Sequence, residues 1–239
     1  MNREAFFTVH RELPREGPGL PEDVTWVGQV VEIPQHGRVC DAGCGPGADL
    51  EALRNLVPDG QVDGFERVSH FVEAARQKLA DDPSVRIHHA DMAQLSGPYD
   101  LIWSAGAVYF LGVKPALKAW SSALRKTGAI AFSHPCVFTA SPSKAAVAFW
   151  KAEPGQFGTQ DATEAEIVAA GWRVLATRRL ADAAWAAYYR PLLTRCDEFE
   201  KAGASESVRA AIASARKEAS DWRAVSGETG YELYVVCQR

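Results

Sequence analysis

The chain has 239 residues, of which 47% are hydrophobic and 23% charged, with a formal net charge of −4. This composition is typical of a folded globular protein and excludes intrinsic disorder as its main state. The slight acidic excess disfavours nucleic acid as a partner, because non-specific nucleic-acid binding requires a basic surface. The five cysteines are an odd number and are expected to be reduced thiols rather than a disulfide framework.

The start of the chain is expected to form an irregular arm followed by a helix. Residues 11–23 are rich in proline, glycine and charge, which indicates irregular backbone, and a helix is expected over residues 24–33. The first residues lack the apolar core of a signal peptide. The apolar run at residues 101–113 is too short to cross a bilayer. We therefore expect a cytoplasmic protein without membrane contact.

From residue 36 onward, short apolar runs alternate with helical patterns. Strands are expected at residues 39–40, 62–65, 85–89, 101–104, 129–133, 172–177 and 231–237. Helices are expected from about residue 50 to 57, after an N-cap at Ser69, from about 115 to 124, and after a capping box at residues 163–166. This alternation predicts an α/β fold whose mostly parallel sheet has helices on both faces and binds ligands at the carboxyl ends of its strands.

Two segments do not fit the alternation, at about residues 136–160 and 183–226. The second contains an alanine-rich helical pattern. Long insertions in compact domains are often functional, so a helical lid over the site is one interpretation. Extra packing on the edge of the sheet is the other.

A glycine-rich loop between the first strand and the following helix reads Asp41-Ala42-Gly43-Cys44-Gly45-Pro46-Gly47. Glycines permit a tight turn and let a ligand approach the backbone closely. The helix that follows offers free N–H groups to an anionic group. Glu66 ends the second strand, where an acid can accept hydrogen bonds from ribose hydroxyls. The pattern therefore predicts a nucleoside-containing ligand.

The run from Gly43 through Gly45 to Ala48 also satisfies the relaxed dinucleotide fingerprint, so an NAD(P)-dependent oxidoreductase is an alternative. Three features weigh against it. Asp41 beside the loop would repel a pyrophosphate and attract an ammonium group. A second acid, Asp91, ends the third strand, and the length leaves little room for a second nucleotide-binding half with a substrate domain.

These motifs resemble those of class I S-adenosylmethionine-dependent methyltransferases over about residues 36–135, in order and at the right spacing. More closely, residues 10–19 and 102–109 are similar to small bacterial methyltransferases of the ubiquinone/menaquinone-biosynthesis-like group. Ala105 departs from that group, which often has an acid there. The resemblance implies a Rossmann-like, seven-stranded, mostly parallel sheet whose last strand is antiparallel.

The resemblance also implies a single domain over residues 1–239. This domain would comprise an N-terminal arm and helix at 1–35, a cofactor-binding half at 36–135 and a substrate half at 136–239. The expected cofactor is S-adenosyl-L-methionine, with S-adenosyl-L-homocysteine as product. The implied cofactor-binding residues are Asp41, Gly43, Gly45, Gly47, Glu66, Arg67, Asp91, Met92, Ser104 and Gly106. Within this set, Asp41 and the glycine loop would hold the methionine part of the cofactor. Glu66 would bind the ribose hydroxyls, and Asp91 the adenine amino group. Ser104 and Gly106 would border the sulfonium.

Methyl transfer is an in-line displacement, so alignment and exclusion of water are the main tasks, and a base is needed only for a protonated acceptor. Candidate acceptor-side groups are His10 in the arm, His134 after the fifth strand and Tyr109 after the fourth. Either histidine could instead be a surface or hydrogen-bonded residue. The second insertion begins with candidate acceptor-binding residues Trp185, Tyr188, Tyr189 and Arg190, for which helix packing is the alternative.

No metal site is expected, because Cys40 and Cys44 have the wrong spacing for zinc and His88 and His89 point to opposite faces of a strand. We therefore expect a methyltransferase acting on a small molecule, as a monomer or homodimer. A non-catalytic S-adenosylmethionine-binding module is the second alternative.

Overall fold

The computed structural model describes residues 2–151 and 157–239. The strands are β1 (Arg38–Ala42), β2 (Gln61–Glu66), β3 (Val85–His89), β4 (Tyr99–Ser104), β5 (Leu124–Val137), β6 (Gly158–Thr159), β7 (Trp172–Arg179) and β8 (Thr229–Gln238). The helices are α1 (Arg3–His10), α2 (Pro21–Val30), α3 (Leu50–Leu56), α4 (Ser69–Lys78), α5 (Val113–Trp120), α6 (Lys144–Lys151), α7 (Gln160–Ala169), α8 (Asp182–Lys201) and α9 (Glu206–Val225).

The strands form one sheet in the order β3-β2-β1-β4-β5-β8-β7, and the two-residue strand β6 pairs with β5. Strands β1 to β6 pair in parallel, whereas β8 is antiparallel to both of its neighbours. The predicted mostly parallel sheet with an antiparallel last strand is thus confirmed, with β6 as an addition. The strand order reverses between β1 and β4, and this switch point opens a crevice at the carboxyl ends of the two strands.

Helices cover both faces of the sheet, as predicted. One face packs buried residues such as Val39, Leu101 and Trp103 against helices α1, α2, α3, α8 and α9. The other packs Ile102 and Phe132 against α5 and α7. Burying each large apolar side chain contributes about 1.5–3 kcal/mol, so both layers hold the strand ends in place.

The helix boundaries differ from the prediction at several caps. Helix α1 was not predicted, and it begins at Asn2, whose side chain accepts hydrogen bonds from Glu4 and Ala5 N–H groups. Ser69 is the first residue of α4 rather than its N-cap, which is Val68. The predicted capping box beginning at Thr163 is wrong, because Thr159 caps α7 and Thr163 lies buried one turn inside it.

The two predicted insertions differ in structure. The first contains α6 and β6, and residues 152–156 of it lie outside the described residues. The second forms the antiparallel pair α8 and α9, against which α1 packs. Within residues 2–151 and 157–239, no helix is long and apolar enough to cross a membrane.

Candidate active site

The glycine-rich loop after β1 adopts a conformation that only glycine takes easily. Gly43, Gly45 and Gly47 have φ angles of +84°, +52° and +82°. The N–H groups of Gly43 and Cys44 donate to the carbonyl oxygen of Phe65 at 2.9 and 3.1 Å, which ties the loop to β2. The loop therefore lies at the crevice, and its hydrogen bonds to β2 fix the position of its backbone.

Glu66 at the end of β2 is fixed by backbone donors on both sides. The N–H of Gly45 donates to Oε2 at 3.1 Å, and the N–H groups of Arg67 and Val68 donate to Oε1 at 2.8 and 2.7 Å. Oε1 thus accepts two hydrogen bonds, whereas Oε2 can accept a further one. The structure thus joins two of the predicted cofactor residues, Gly45 and Glu66, in one arrangement.

Asp41 at the end of β1 is buried beside two further carboxylates. Burial raises the pKa of the Asp41 carboxyl well above its ordinary range, and the charges of Asp49 and Glu66 raise it further, while Arg15 lowers it. Asp49 accepts a hydrogen bond from Trp103 Nε1 at 3.0 Å and pairs with the Arg15 guanidinium at 3.2 Å. Three acids thus face one guanidinium, so the crevice is suited to a cationic group.

Met92 lies against the glycine loop at Gly43. A Cβ atom on Gly43 would meet Ala107 Cβ at 2.7 Å and Met92 Sδ at 3.2 Å, so these residues pack together. Trp120 Nε1 donates to the carbonyl oxygen of Met92 at 2.7 Å and anchors this segment. Asp91 beside it is exposed, and its Oδ1 accepts from the N–H of Ala93 at 2.8 Å. Among the described residues no hydrogen bond reaches the second oxygen of Asp91, so this oxygen is available to a ligand at the rim.

The Arg67 side chain is exposed, and its guanidinium lies 5.9 Å above the ring of Phe110. Phe110 is 52% exposed, which is unusual for a large apolar side chain. Both residues therefore lie at the outer rim of the crevice.

Ser104 is the last residue of β4, and Gly106 follows in the loop after it. The Ser104 hydroxyl is fully buried and donates to the carbonyl oxygen of Ala42 at 2.8 Å, so it links β4 to β1. The Gly106 N–H donates to Ser133 Oγ at 2.8 Å. A Cβ atom on Gly106 would lie 3.7 Å from the ring of Tyr231. Gly106 therefore separates the loop from a group of aromatic side chains.

That group, the aromatic cluster, comprises Trp150, Trp185, Tyr188, Tyr189, Trp222 and Tyr231. Its members are all buried, and Trp185 stacks on Trp222 with ring centroids 4.8 Å apart. Burial raises the pKa of Tyr188, and the nearby Glu218, Glu16, Tyr189 and Tyr109 raise it further. Tyr188 thus lies between the end of the N-terminal arm and Tyr109. Three of the four predicted acceptor-binding residues belong to this cluster.

The fourth, Arg190, lies apart from them. It is exposed and lines a surface groove between α8 and the arm, beside Glu12 and Pro14. The structure therefore separates Arg190 from the crevice.

The two candidate histidines lie in different places. His10 is buried in the arm, stacks on Phe6 with centroids 3.9 Å apart, and donates from Nδ1 to Glu16 Oε2 at 2.9 Å. His134 lies in β5, where alternation places it on the α5 and α7 side of the sheet, away from Ser133. Burial lowers the pKa of His134 to about 4, and within the described ranges its Nδ1 has no hydrogen-bond partner.

Sequence reasoning missed Glu16 and Asp49. Glu16 lies in a stretch rich in charge, which predicts a solvated loop, yet its Cγ lies 4.0 Å from the position of a Cβ on Gly45. The signal that could have found it is the arm segment itself, because residues 10–19 carry part of the family resemblance. Asp49 follows the glycine loop directly, and its pairing with Arg15 brings the arm onto that loop.

Comparison with known proteins agrees with this geometry. Residues 39–128 match the family model described as a methyltransferase domain. A trans-aconitate 2-methyltransferase of Deinococcus radiodurans is 32% identical over 103 residues, which cover 42% of this chain and 38% of the relative. One from Variovorax paradoxus is 34% identical over 85 residues, covering 34% and 31%. The matches thus span about a third of the length of these curated relatives.

Solved structures share the fold over the whole chain. The S-adenosyl-L-homocysteine complex of a SAM-dependent methyltransferase from Thiobacillus denitrificans has a TM-score of 0.80 at 20% identity, covering 100% of this chain and 99% of that one. The corresponding complex from Geobacter sulfurreducens has a TM-score of 0.82 at 18% identity, covering 99% and 98%. The chain therefore shares the fold of these methyltransferase structures. Its residues 39–128 are similar to a methyltransferase domain, in agreement with the predicted resemblance.

Proposed function

We propose that the chain transfers a methyl group from S-adenosyl-L-methionine to a small-molecule acceptor by in-line displacement. The observation that carries this proposal is the buried set of Asp41, Asp49 and Glu66, beside which the Arg15 guanidinium pairs with Asp49 and lowers the pKa of Asp41. A cofactor with an ammonium and a sulfonium group supplies the missing positive charge. A pyrophosphate would add negative charge to the same place.

The residues at the crevice fit this cofactor in shape as well as in charge. The left-handed Gly45 leaves space for a ligand against the loop backbone, and Oε2 of Glu66 retains acceptor capacity for a ribose hydroxyl. Met92 offers an apolar surface for the adenine ring, and Asp91 a free carboxylate oxygen. When bound, the cofactor supplies an electrophilic methyl group on a sulfonium. The protein holds and orients the reactants and excludes water.

The acceptor side supports a small molecule. The N-terminal arm lies against the glycine loop through the Arg15–Asp49 pair, and the aromatic cluster is buried beyond Gly106. A cleft covered in this way suits a compact acceptor.

Titration calorimetry of the full chain with S-adenosyl-L-methionine, S-adenosyl-L-homocysteine and NAD(H) tests the cofactor. We expect saturable binding of the first two and none of the dinucleotide. Binding of NAD(H) alone would support the oxidoreductase alternative. A labelled-methyl assay across a metabolite panel then tests turnover. Cofactor binding without transfer to any acceptor would support the non-catalytic alternative.

A further inference from the structure

Glu16 brings a carboxylate from the N-terminal arm to the junction between the glycine loop and the aromatic cluster. Its Cγ lies 4.0 Å from the position of a Cβ on Gly45. The arm that carries Glu16 also lies along α8, where Leu13 and Pro14 line a groove with Arg190. The charge of Glu16 raises the pKa of Tyr188 on the same helix. Glu16 therefore lies between the glycine loop and α8, the helix of the proposed acceptor-binding residues.

The two oxygens of Glu16 differ in their contacts. Oε2 accepts a hydrogen bond from His10 Nδ1 at 2.9 Å, and His10 is itself held by stacking on Phe6. Oε1 is buried, and among the described residues it has no hydrogen-bond partner. A buried carboxylate oxygen without a donor is costly, so this atom requires a donor from a ligand. Because His10 fixes the other oxygen, the direction of Oε1 is set before a ligand binds.

The surroundings of Glu16 select against negative charge. The carboxylates whose charges act on Glu16 or Tyr188 include Glu66 and Glu218, and the imidazole of His10 also acts on Glu16. The guanidinium of Arg15 is paired with Asp49. A polycarboxylate would meet repulsion here, whereas aromatic faces beside carboxylates attract an amine.

We propose that Glu16 selects the acceptor by binding an amine group through Oε1, so that the chain methylates an amine rather than a carboxylate. This inference rests on the proposed methyltransferase function. The amine arrives as an ammonium ion and transfers one proton to the carboxylate of Glu16. The nitrogen lone pair then forms the bond to the methyl carbon, the carbon–sulfur bond breaks, and its electron pair stays on the sulfur. Glu16 returns its proton to solvent, with the imidazole of His10 beside it.

Other properties of Glu16 and His10 fit a role in accepting a proton from the amine. Burial raises the pKa of the Glu16 carboxyl, and the hydrogen bond from His10 partly opposes the increase. A carboxylate with a raised pKa is a better proton acceptor for an ammonium ion than an exposed one. His10, predicted as an acceptor-side base, thus becomes a positioning residue for Glu16.

The experiment measures acceptor binding to the full chain saturated with S-adenosyl-L-homocysteine. The probes are phenethylamine, the uncharged phenethyl alcohol, and trans-aconitate as a polycarboxylate. We expect phenethylamine to bind at least about tenfold more tightly than either other probe, the effect of one charge-assisted hydrogen bond. Tighter binding of trans-aconitate, or no saturable binding of phenethylamine, would overturn the proposal.

Two variants assign the effect to Glu16. Glu16→Gln should weaken phenethylamine binding about tenfold or more, and leave the affinity for S-adenosyl-L-homocysteine within about twofold. Glu12→Gln is the matched control, because Glu12 lies on the same arm, is exposed, and pairs with Arg195 on the surface. Unchanged amine binding in Glu16→Gln would refute the assignment. So would a loss of affinity for S-adenosyl-L-homocysteine in place of the loss of affinity for the amine. Failure of the wild-type chain to bind that product at all would refute the proposed function itself.

Discussion

The carboxyl group of Asp41 lies in an environment that opposes its ionisation. Burial is the main cause, and the neighbouring acids Asp49 and Glu66 add to it. A bound ammonium group would favour the charged form and lower this pKa. The protonation of Asp41 and the binding of a cationic ligand are therefore linked.

Binding of S-adenosyl-L-methionine is expected to release a proton from Asp41. Affinity should therefore rise with pH until Asp41 is ionised in the free protein, and level off above that pH. Calorimetry in two buffers of different ionisation enthalpy measures the release directly. Asp41→Asn should abolish it, whereas Asp59→Asn, at an exposed turn, should not. Equal proton release in Asp41→Asn would contradict this account.

His134 provides a test of stability. Its pKa is lowered by burial from an ordinary value of 6.5 to about 4, so the folded state keeps it neutral while the unfolded state takes up a proton. The free energy of unfolding should thus fall as the pH drops from about 6.5 to about 4, by up to about 3 kcal/mol. Urea unfolding across this range measures the slope. His134→Gln should flatten it, and the exposed His36→Gln should leave it unchanged.

At the scale of elements, the helix caps decide where the secondary structure begins. Thr159 caps α7 by accepting from the N–H of Ala162, whereas Ser69 stands inside the first turn of α4. The apolar runs predicted all seven long strands, because core-facing residues repeat along each of them. The caps were less predictable, because Ser and Thr precede several positions that could each begin a helix.

Thr159→Ala should lower the free energy of unfolding by about 1 kcal/mol, the usual effect of losing an N-cap. Ser69→Ala should change it by less than about 0.5 kcal/mol, as expected for a surface position without such a role. Denaturant unfolding of both variants makes the comparison. A larger loss in Ser69→Ala would show that α4 depends on that hydroxyl.

The site was predictable only where its residues follow strands. Asp41, Glu66 and Asp91 each stand at a strand end, so a parallel sheet brings them to one edge. The N-terminal arm has no periodic pattern, and its position depends on tertiary contacts such as the Arg15–Asp49 pair. For this reason Glu16 could not be assigned from its local sequence, and Arg190 could not be separated from its aromatic neighbours by spacing alone.

At the scale of the whole molecule, the crevice joins segments from both halves of the chain. The loop after β1, the end of β2, the loop after β4 and strand β8 all meet around Gly43 and Gly106. The arm packs on α8 and α9 and so links the start of the chain to the second insertion. The integrity of the crevice therefore depends on close packing between distant segments.

Gly43→Ala is expected to disturb this packing. Its Cβ would lie 2.7 Å from Ala107 Cβ, in addition to the strain at φ +84°. Gly171 is the matched control, because its φ is +88° but no atom lies within 4 Å of its Cβ position. Both alanine variants should lose about 1–2 kcal/mol from backbone strain, and Gly43→Ala more. Affinity for S-adenosyl-L-homocysteine should fall only in Gly43→Ala, and an equal fall in both would contradict the packing argument.

The position of β8 has a consequence for how the chain reaches its folded state. Strand β8 lies between β5 and β7, although it follows both in sequence. Until β8 is synthesised, β5 and β7 have no partner along these edges, and each presents open N–H and C=O groups. Unpaired strand edges promote association between chains. During synthesis, β5 and β7 therefore remain prone to such association until β8 inserts between them.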